Sequence, residues 1–577
     1  MAGAQSIERK RPRRSPRRLL VIAGGVLAVA VVAVGGVAFL AFHDDGVPLI
    51  SSGPNPRTPV EAFTAAWVAG DYHAMYRQLA PQSRAVTSYR AFRRAYGQAV
   101  AVSTLKSLEV TGPGVMAAGV DTVPMALRTS EFGRLQGELQ VPVVRAGSRY
   151  LISWAPELVW PGLQPGEQLV STAKPPDHRG AILSTNRMVL ARGTADARLY
   201  PQGAPFYTLT GFVRAPQTAA ERKQRVALGW PANAMYGQGG LEQSLNPVLG
   251  GAPSITLQAQ STSGTRLIAH HPGRRPHDVV TTLDPTLQTD ATDALGGRLG
   301  GITIMDARNG AVRAAAGIAM DAVQPPGSTF KMVTASAALT KGVVTPESTY
   351  TPTRFALVGG FKLINFHHEL CGGTLVQAFA QSCNSVFGPV AVATGGKQLA
   401  RTAVAFGFNT RSGIAYPLDE SVMPSQSALR NPVDLGVAGI GQGGVSATPL
   451  QMASVGQVIA DRGVLHPPWI ARSPARIHDR RASRRVITKH VADDVAEMMR
   501  AVVSYGTGTL ASSSITTVNG KTGTAELGPG IKSDAWFVGY APAEAPRVVV
   551  SVLIVHGGVG GQTAAPIARQ MIEDALQ

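Results

Sequence analysis

Two hydrophobic rhythms organise most of this chain, and one stretch has no rhythm at all. Leu19 to Phe42 runs for 24 residues without a charged side chain. A run of that length is long enough to cross a bilayer with some tilt. A Gly/Pro/Ser-rich stretch follows at 43–57. Val60, Phe63 and Trp67 then recur at i, i+3 and i+7, which predicts one apolar helix face. Thr58, Pro59 and Glu61 predict the start of that helix, with Thr58 as cap and Glu61 closing a capping box. Gly70 predicts its end, and Asp71 a cap for a second helix carrying Tyr72, Met75, Tyr76 and Leu79. A third helix is predicted from about Tyr89 to Tyr96. From Val100 to Trp154 the pattern turns to short strands, such as 139–144 and 150–154. Helices followed by a strand meander predict a small α+β domain.

Trp160-Pro-Gly-Leu163 links to a second region, about 161–275. At Val279 a strand is followed by a helix with Leu287, Ala291, Ala294 and Leu295 on one side. Two apolar runs then flank Asn309-Gly310, a strong hairpin signal. Pro325-Pro326-Gly327 predicts a sharp turn into a helix, with Ser328 at its mouth and Lys331 one turn on, on the same face. Two more strands (534–540 and 547–555) and a helix from about Thr563 to Leu576 close the chain. They predict a mixed sheet with helices on its faces.

Composition and charge set limits on this picture. At 577 residues the chain exceeds a single core and predicts three or more domains, while 44% hydrophobic and 16% charged residues predict a folded protein. Of the net charge of +18, the first 18 residues carry seven cations against Glu8 alone, and the larger remainder is spread over the rest of the chain. With Asp44 and Asp45 on the far side, those seven cations place the N-terminus in the cytoplasm and the rest outside. The apolar run exceeds that of a cleavable signal peptide, so an uncleaved anchor is expected. No aromatics are interleaved with the cations of this basic start, which argues against nucleic acid. Cys371 and Cys383, twelve residues apart, fit one disulfide in an oxidising compartment, or two buried thiols. No metal-ligand spacing accompanies them, and neither a metal nor a cofactor is expected.

Candidate chemistry lies in three short motifs. Ser-x-x-Lys occurs three times (Ser103, Ser171 and Ser328 with Lys106, Lys174 and Lys331), and so does Ser-x-Asn (Ser184, Ser244 and Ser382 with Asn186, Asn246 and Asn384). Lys521-Thr522-Gly523 occurs once. Ser103 is expected where strands begin and Ser171 in a Pro-rich connection. Only Ser328 has a Pro-Gly turn and a helix mouth, which favour a nucleophilic hydroxyl. Gly327-Ser328-Thr329-Phe330-Lys331, Ser382-Cys383-Asn384 and Lys521-Thr522-Gly523-Thr524 resemble the three active-site motifs of the penicillin-recognising serine enzymes. The Gly441-Gln442-Gly443 segment and the Trp536 to Pro542 strand support the resemblance over about 276–577.

That resemblance implies roles. Ser328 would be the nucleophile, Lys331 its base and Ser382 a proton relay. Asn384, Lys521, Thr522, Gly523 and Thr524 would bind substrate, and the backbone amides of Ser328 and Thr524 would form the oxyanion hole. To accept a proton, Lys331 must be neutral, and burial together with a cation at Lys521 would lower its pKa. Residues 178–183 (His-Arg-Gly-Ala-Ile-Leu) and 236–251 resemble the pedestal, or dimerisation, domain of class B penicillin-binding proteins. The helical and stranded region before them resembles the nuclear-transport-factor-2-like (NTF2-like) head of the methicillin-resistance type.

The expectation is therefore a multidomain α+β chain: a basic cytoplasmic tail (1–18), a transmembrane helix (19–42), a linker (43–57), an NTF2-like domain (58–157), a mostly-β pedestal (158–275) and a transpeptidase domain (276–577). Its expected work is D-Ala-D-Ala transpeptidation of peptidoglycan stem peptides, with covalent acylation by β-lactams, at the outer face of the cell membrane. Other cell-wall synthesis or division proteins are compatible partners. D,D-carboxypeptidation is the nearest alternative; a β-lactam-hydrolysing or β-lactam-sensing protein and an inactive division scaffold are more remote.

Overall fold

Helix α1 (Thr58–Val68) buries Val60, Phe63 and Trp67, as their spacing predicts. Its start departs from prediction. Arg57 takes the cap position, Thr58 is already helical, and no side chain caps the end. The Arg57 carbonyl accepts from the amides of Val60 and Glu61, so helical geometry begins one residue before a capping box could form. In the computed structural model residues 54–473 and 482–577 are described. The charge-free run Leu19 to Phe42 and its basic tail lie outside the described residues. Among the described residues no helix is long and apolar enough to cross a membrane.

Helix α2 (Tyr72–Arg77) is capped by Asp71, which accepts from the Ala74 amide at 2.9 Å. Helix α3 (Pro81–Val86) has no counterpart in the sequence reading; six residues are too few to show a period. Helix α4 (Tyr89–Ser103) extends seven residues past the predicted end, because Ala99 continues the buried face of Phe92 and Tyr96. Its valines suggest strand by propensity, and packing overrides them. Strands β1 (Leu105–Val110), β2 (Val115–Ala117), β3 (Val120–Thr129), β4 (Arg134–Ala146) and β5 (Arg149–Ile152) form an antiparallel sheet in the order β1-β3-β4-β5, with β2 beside β3. Together they make the predicted α+β head.

The next region is less separate from the head than the sequence suggests. Strands β6 (Gln168–Lys174), β7 (Ser254–Ser261) and β8 (Gly264–His271) form a sheet in the order β8-β7-β6. Leu257 and Ala259 on β7, with Leu163, complete the hydrophobic core of the head. Ser171 therefore lies on a strand and not in a loose connection. Short helices, among them Ala219–Ala227, accompany the strands of this region.

The two pedestal-like motifs meet in space. Arg179 donates from Nε to Glu242 at 2.7 Å and from a terminal nitrogen to Asn246 Oδ1 at 2.8 Å. Arg198 Nε donates to the other Glu242 oxygen at 2.7 Å. All three charged side chains are buried. Gly180 lies so close to the neighbouring backbone that a Cβ would sit 2.0 Å from the His277 carbonyl oxygen. Removing one member of a buried ion cluster strands the others. Glu242→Ala is accordingly expected to cost about 3–5 kcal/mol, read as a lower midpoint in urea unfolding.

Helix α5 (Pro285–Leu295), capped by Asp284, leads into strands β9 (Gly300–Asp306) and β10 (Val312–Gly317), the hairpin predicted at Asn309-Gly310. A long helical insertion follows: α6 (Lys331–Lys341), α7 (Leu375–Ala380), α8 (Asn384–Thr394), α9 (Pro449–Ala460) and α10 (Lys489–Ser504). The chain returns to the sheet as β11 (Asn519–Ala525), β12 (Asp534–Ala541) and β13 (Val548–Ile554), and ends in α11 (Gly560–Leu576). The strand order is β10-β9-β13-β12-β11, and every pairing is antiparallel. The predicted mixed sheet is thus corrected. Its two ends are a hairpin and a meander, whose short connections impose antiparallel pairing. Period-two alternation sorts the faces: Val548, Val550 and Val552 pack with α5 and α11, while Val549 and Leu553 share the core of α6 and α9.

Candidate active site

The Pro325-Pro326-Gly327 turn is pinned from two sides. The Trp536 indole on β12 donates to the Pro325 carbonyl at 2.9 Å, and the Gly327 amide donates to the Gly441 carbonyl at 3.0 Å. Gly327 adopts φ +53°, and a Cβ there would press against Ala525 of β11 at 3.1 Å. Gly327–Phe330 forms one 3₁₀ turn that runs into α6, so Ser328 sits in the turn and Lys331 opens the helix. The Ser328 hydroxyl is half-exposed, facing a cleft, and forms no hydrogen bond among the described residues.

Lys331 is fully buried beneath that cleft. Its Nζ donates to the Ser382 carbonyl at 2.6 Å and to Asn384 Oδ1 at 2.8 Å, and lies 3.4 Å from Ser382 Oγ. Burial, and after it the nearby Lys521, holds this amine well below the usual lysine range. A neutral amine has two N–H groups and one lone pair. The two short carbonyl contacts occupy both N–H groups and leave the lone pair as a proton acceptor. Lys521, on β11, is also fully buried, and burial pushes it down to about 7. Its Nζ donates to Ser382 Oγ at 2.9 Å and to the Thr522 carbonyl at 3.1 Å. Ser382 Oγ therefore stands between the two lysines.

Local geometry around Ser382 is held by its neighbours. Its φ of +63° lies in the left-handed region, uncommon for a residue with a Cβ. Next to it, Cys383 is joined to Cys371 by a disulfide, which settles the choice between a bond and two thiols. Cys383 precedes α8, whose first residue, Asn384, is fixed at both ends of its amide. Its oxygen accepts from Lys331, and its nitrogen donates to the Ile364 carbonyl at 3.0 Å.

The cleft measures about 550 Å³ and is lined by Ser328, Ser382, Asn384, Thr522 and Thr524 among others. Strand β11 is the edge of its sheet, so one side of its backbone is free for an extended ligand. Of the motif on it, Thr522 and Thr524 reach the cleft, Lys521 points back to Ser382, and Gly523 packs beside the Pro326 turn. Sequence reasoning missed Thr507, whose hydroxyl lies 2.5 Å from that of Thr522 in the cleft wall. The Gly506-Thr507-Gly508 loop after α10 was its available signal. Glu369, Glu526 and the half-exposed Gln442 also line the cleft.

The look-alike pairs are structural. Ser103 is the last residue of α4, not the start of a strand, and its hydroxyl donates to the Ala99 carbonyl at 2.6 Å. The Ser184 hydroxyl donates to Asn186, and Asn246 serves Arg179. Only Ser328, Lys331, Ser382, Asn384 and the 521–524 segment are brought together around one cleft.

Comparison with known proteins bears on the same regions. Residues 300–573 match the penicillin binding protein transpeptidase domain, and residues 55–167 match the NTF2-like N-terminal transpeptidase domain. Peptidoglycan D,D-transpeptidase PbpA of Mycolicibacterium smegmatis is 28% identical over 467 residues, covering 69% of this chain and 89% of that protein. The D,D-transpeptidase domain of a peptidoglycan glycosyltransferase from Eggerthella lenta is 30% identical, with a TM-score of 0.57 over 69% of this chain and 98% of that domain. The penicillin G acyl-enzyme complex of penicillin-binding protein A from M. tuberculosis is 25% identical, with a TM-score of 0.56 over 70% of this chain and all of that one.

Proposed function

This chain belongs to the class B penicillin-binding proteins, and from that premise we propose that it cross-links peptidoglycan stem peptides by serine acyl transfer and is acylated by β-lactams. The observation that carries the reading is Ser382 Oγ suspended between two buried lysines at the floor of the Ser328 cleft. Ser328 Oγ attacks the carbonyl carbon of the D-Ala-D-Ala peptide bond, and its proton passes to the lone pair of Lys331. The backbone amides of Ser328 and Thr524 receive the developing oxyanion. The C–N bond then breaks, and the proton returns from Lys331 through Ser382 Oγ to the departing D-Ala amine. An ester joins the donor stem to Ser328. The amine of a second stem attacks that ester, surrenders a proton along the same path, and frees the serine as a new peptide bond forms.

Thr522 and Thr524 reach the cleft and suit the substrate's terminal carboxylate, as the β-lactam carboxylate would also require. Lys521, turned away from the cleft, serves the base instead. Asn384 positions Lys331 with its oxygen and retains one free N–H for the peptide backbone. We read residues 19–42 as a single-pass anchor, which would hold these domains on the outer side of the cell membrane.

Mass spectrometry of the products from a D-Ala-D-Ala stem peptide, with and without an amine acceptor, tests the reaction. Cross-linked product in the presence of the acceptor is expected. Release of D-Ala with no cross-link at any acceptor concentration would make the enzyme a carboxypeptidase. The lysine pair gives a second expectation, in the pH dependence of penicillin acylation. Only neutral Lys331 can take the proton, so the rate rises as pH climbs through its depressed pKa. In Lys521→Ala the neighbouring cation is gone, Lys331 returns toward the ordinary lysine range, and the acid limb moves to higher pH. An acid limb at the same pH in both proteins would sink the coupling.

A further inference from the structure

The head carries an unbalanced charge that the reaction does not use. Residues 72–108 contain five arginines and Lys106 but no aspartate or glutamate. Arg77, Arg84, Arg90, Arg93 and Arg94 are all exposed. Among the described residues none of the five makes an ion pair or side-chain hydrogen bond. Arg90, Arg93 and Arg94 follow i, i+3, i+4 spacing on α4 and so share one face. With Tyr89 they line one shallow surface depression. The Tyr89 ring stacks on His73 at 3.9 Å, which ties α2 to the start of α4. At the end of α3, Val86 is 85% exposed.

Arginine forks without internal partners match phosphate oxygens. The position of the head in the chain narrows the source. Fifteen residues (43–57) separate it from the charge-free run, and an extended chain of that length spans at most about 50 Å. The bilayer is therefore within reach, and the exposed Val86, three residues before Tyr89 in the chain, suits the boundary between headgroups and acyl chains. We propose that the arginine face of the head (Arg90, Arg93 and Arg94 on α4, with the exposed Val86 three residues before Tyr89) docks on anionic phospholipid headgroups of the membrane that anchors the chain. The proposal rests on the reading of residues 19–42 as an anchor. Docked in this way, the head is a surface contact as well as a spacer for the active site.

The test uses the full chain with Val86→Cys carrying an environment-sensitive dye; the two native cysteines are bonded to each other and do not compete for label. Emission is compared in nanodiscs of phosphatidylcholine alone and of phosphatidylcholine with phosphatidylglycerol. A blue shift confined to the anionic discs is expected, weakening as salt is added. Arg90→Glu/Arg93→Glu/Arg94→Glu should abolish it, since each cation contributes roughly fivefold to partitioning. A fluorescent penicillin adduct on Ser328 confirms that the variant is folded. Equal emission in the two discs, or a shift that survives the triple substitution, would overturn the proposal. So would a shift seen only on adding an anionic wall polymer to neutral discs, which would assign the face to that polymer. Failure of the full chain to enter either disc would overturn the anchor reading instead, and the proposal with it.

Discussion

Ser328→Ala should leave the folded protein without any covalent penicillin adduct, a loss beyond about 10⁴-fold in acylation rate. The adduct is an ester of one hydroxyl, and the arrangement of the cleft allows no substitute. Ser382 Oγ is bound by Lys521 at 2.9 Å and stands between the two buried lysines, where its work is proton transfer. Thr522 and Thr507 engage each other. Ser328 presents an unbonded hydroxyl in the turn that runs directly into α6 and the buried Lys331 that can take its proton. The removed hydroxyl makes no hydrogen bond among the described residues, so the substitution should barely alter stability. Gel fluorescence with a labelled penicillin reads the first expectation and thermal unfolding the second. A persistent adduct in the variant would assign the nucleophile to another residue.

Lys331→Met removes the base while filling most of its volume. Penicillin acylation is expected to fall by about 10²- to 10⁴-fold, the usual contribution of a positioned general base. The effect should fall on the acylation step, because Lys331 lies under the cleft floor and is not among the residues that line it. Stopped-flow acylation separates the initial binding constant from the acylation rate constant. A change confined to binding would mean that Lys331 only shapes the site. The substitution also strips a donor from Asn384 Oδ1 and from the Ser382 carbonyl, so loss of order around φ +63° at Ser382 is an alternative cause. The two constants distinguish them: loss of the base lowers the acylation rate constant alone, whereas disorder at Ser382, which lines the cleft, weakens initial binding as well.

Much of this site was legible because its signals are local. The Pro-Gly turn before Ser328, the i, i+3 step to Lys331 and the edge-strand triplet at 521–523 are each short and chemically unusual. The Asn309-Gly310 hairpin was readable for the same reason, since two residues determine the turn. Errors arose where packing outweighed propensity. Helix α4 outran its pattern because Ala99 extends a buried face that valines disguise, and the sheet is antiparallel because its strands come as a hairpin and a meander with short connections, which a long helical insertion holds apart in the sequence. Thr507 was missed because a Gly-Thr-Gly loop gains meaning only when Thr522 comes to lie against it.

By itself, the sequence determined the candidate nucleophile, the order and spacing of the three motifs, and the likeness that follows from them. Those are properties of neighbours along the chain. The tertiary structure decided how the motifs divide the chemistry. Lys521 could as well have faced a substrate carboxylate, and Asn384 could have been left free. The fold instead buries both lysines around Ser382, ties Asn384 into the base, and bonds Cys383 to Cys371 beside them. A lysine's proton affinity depends on its solvent and on the charge next to it, and residues 331, 382 and 521 acquire that environment only when the chain closes on itself.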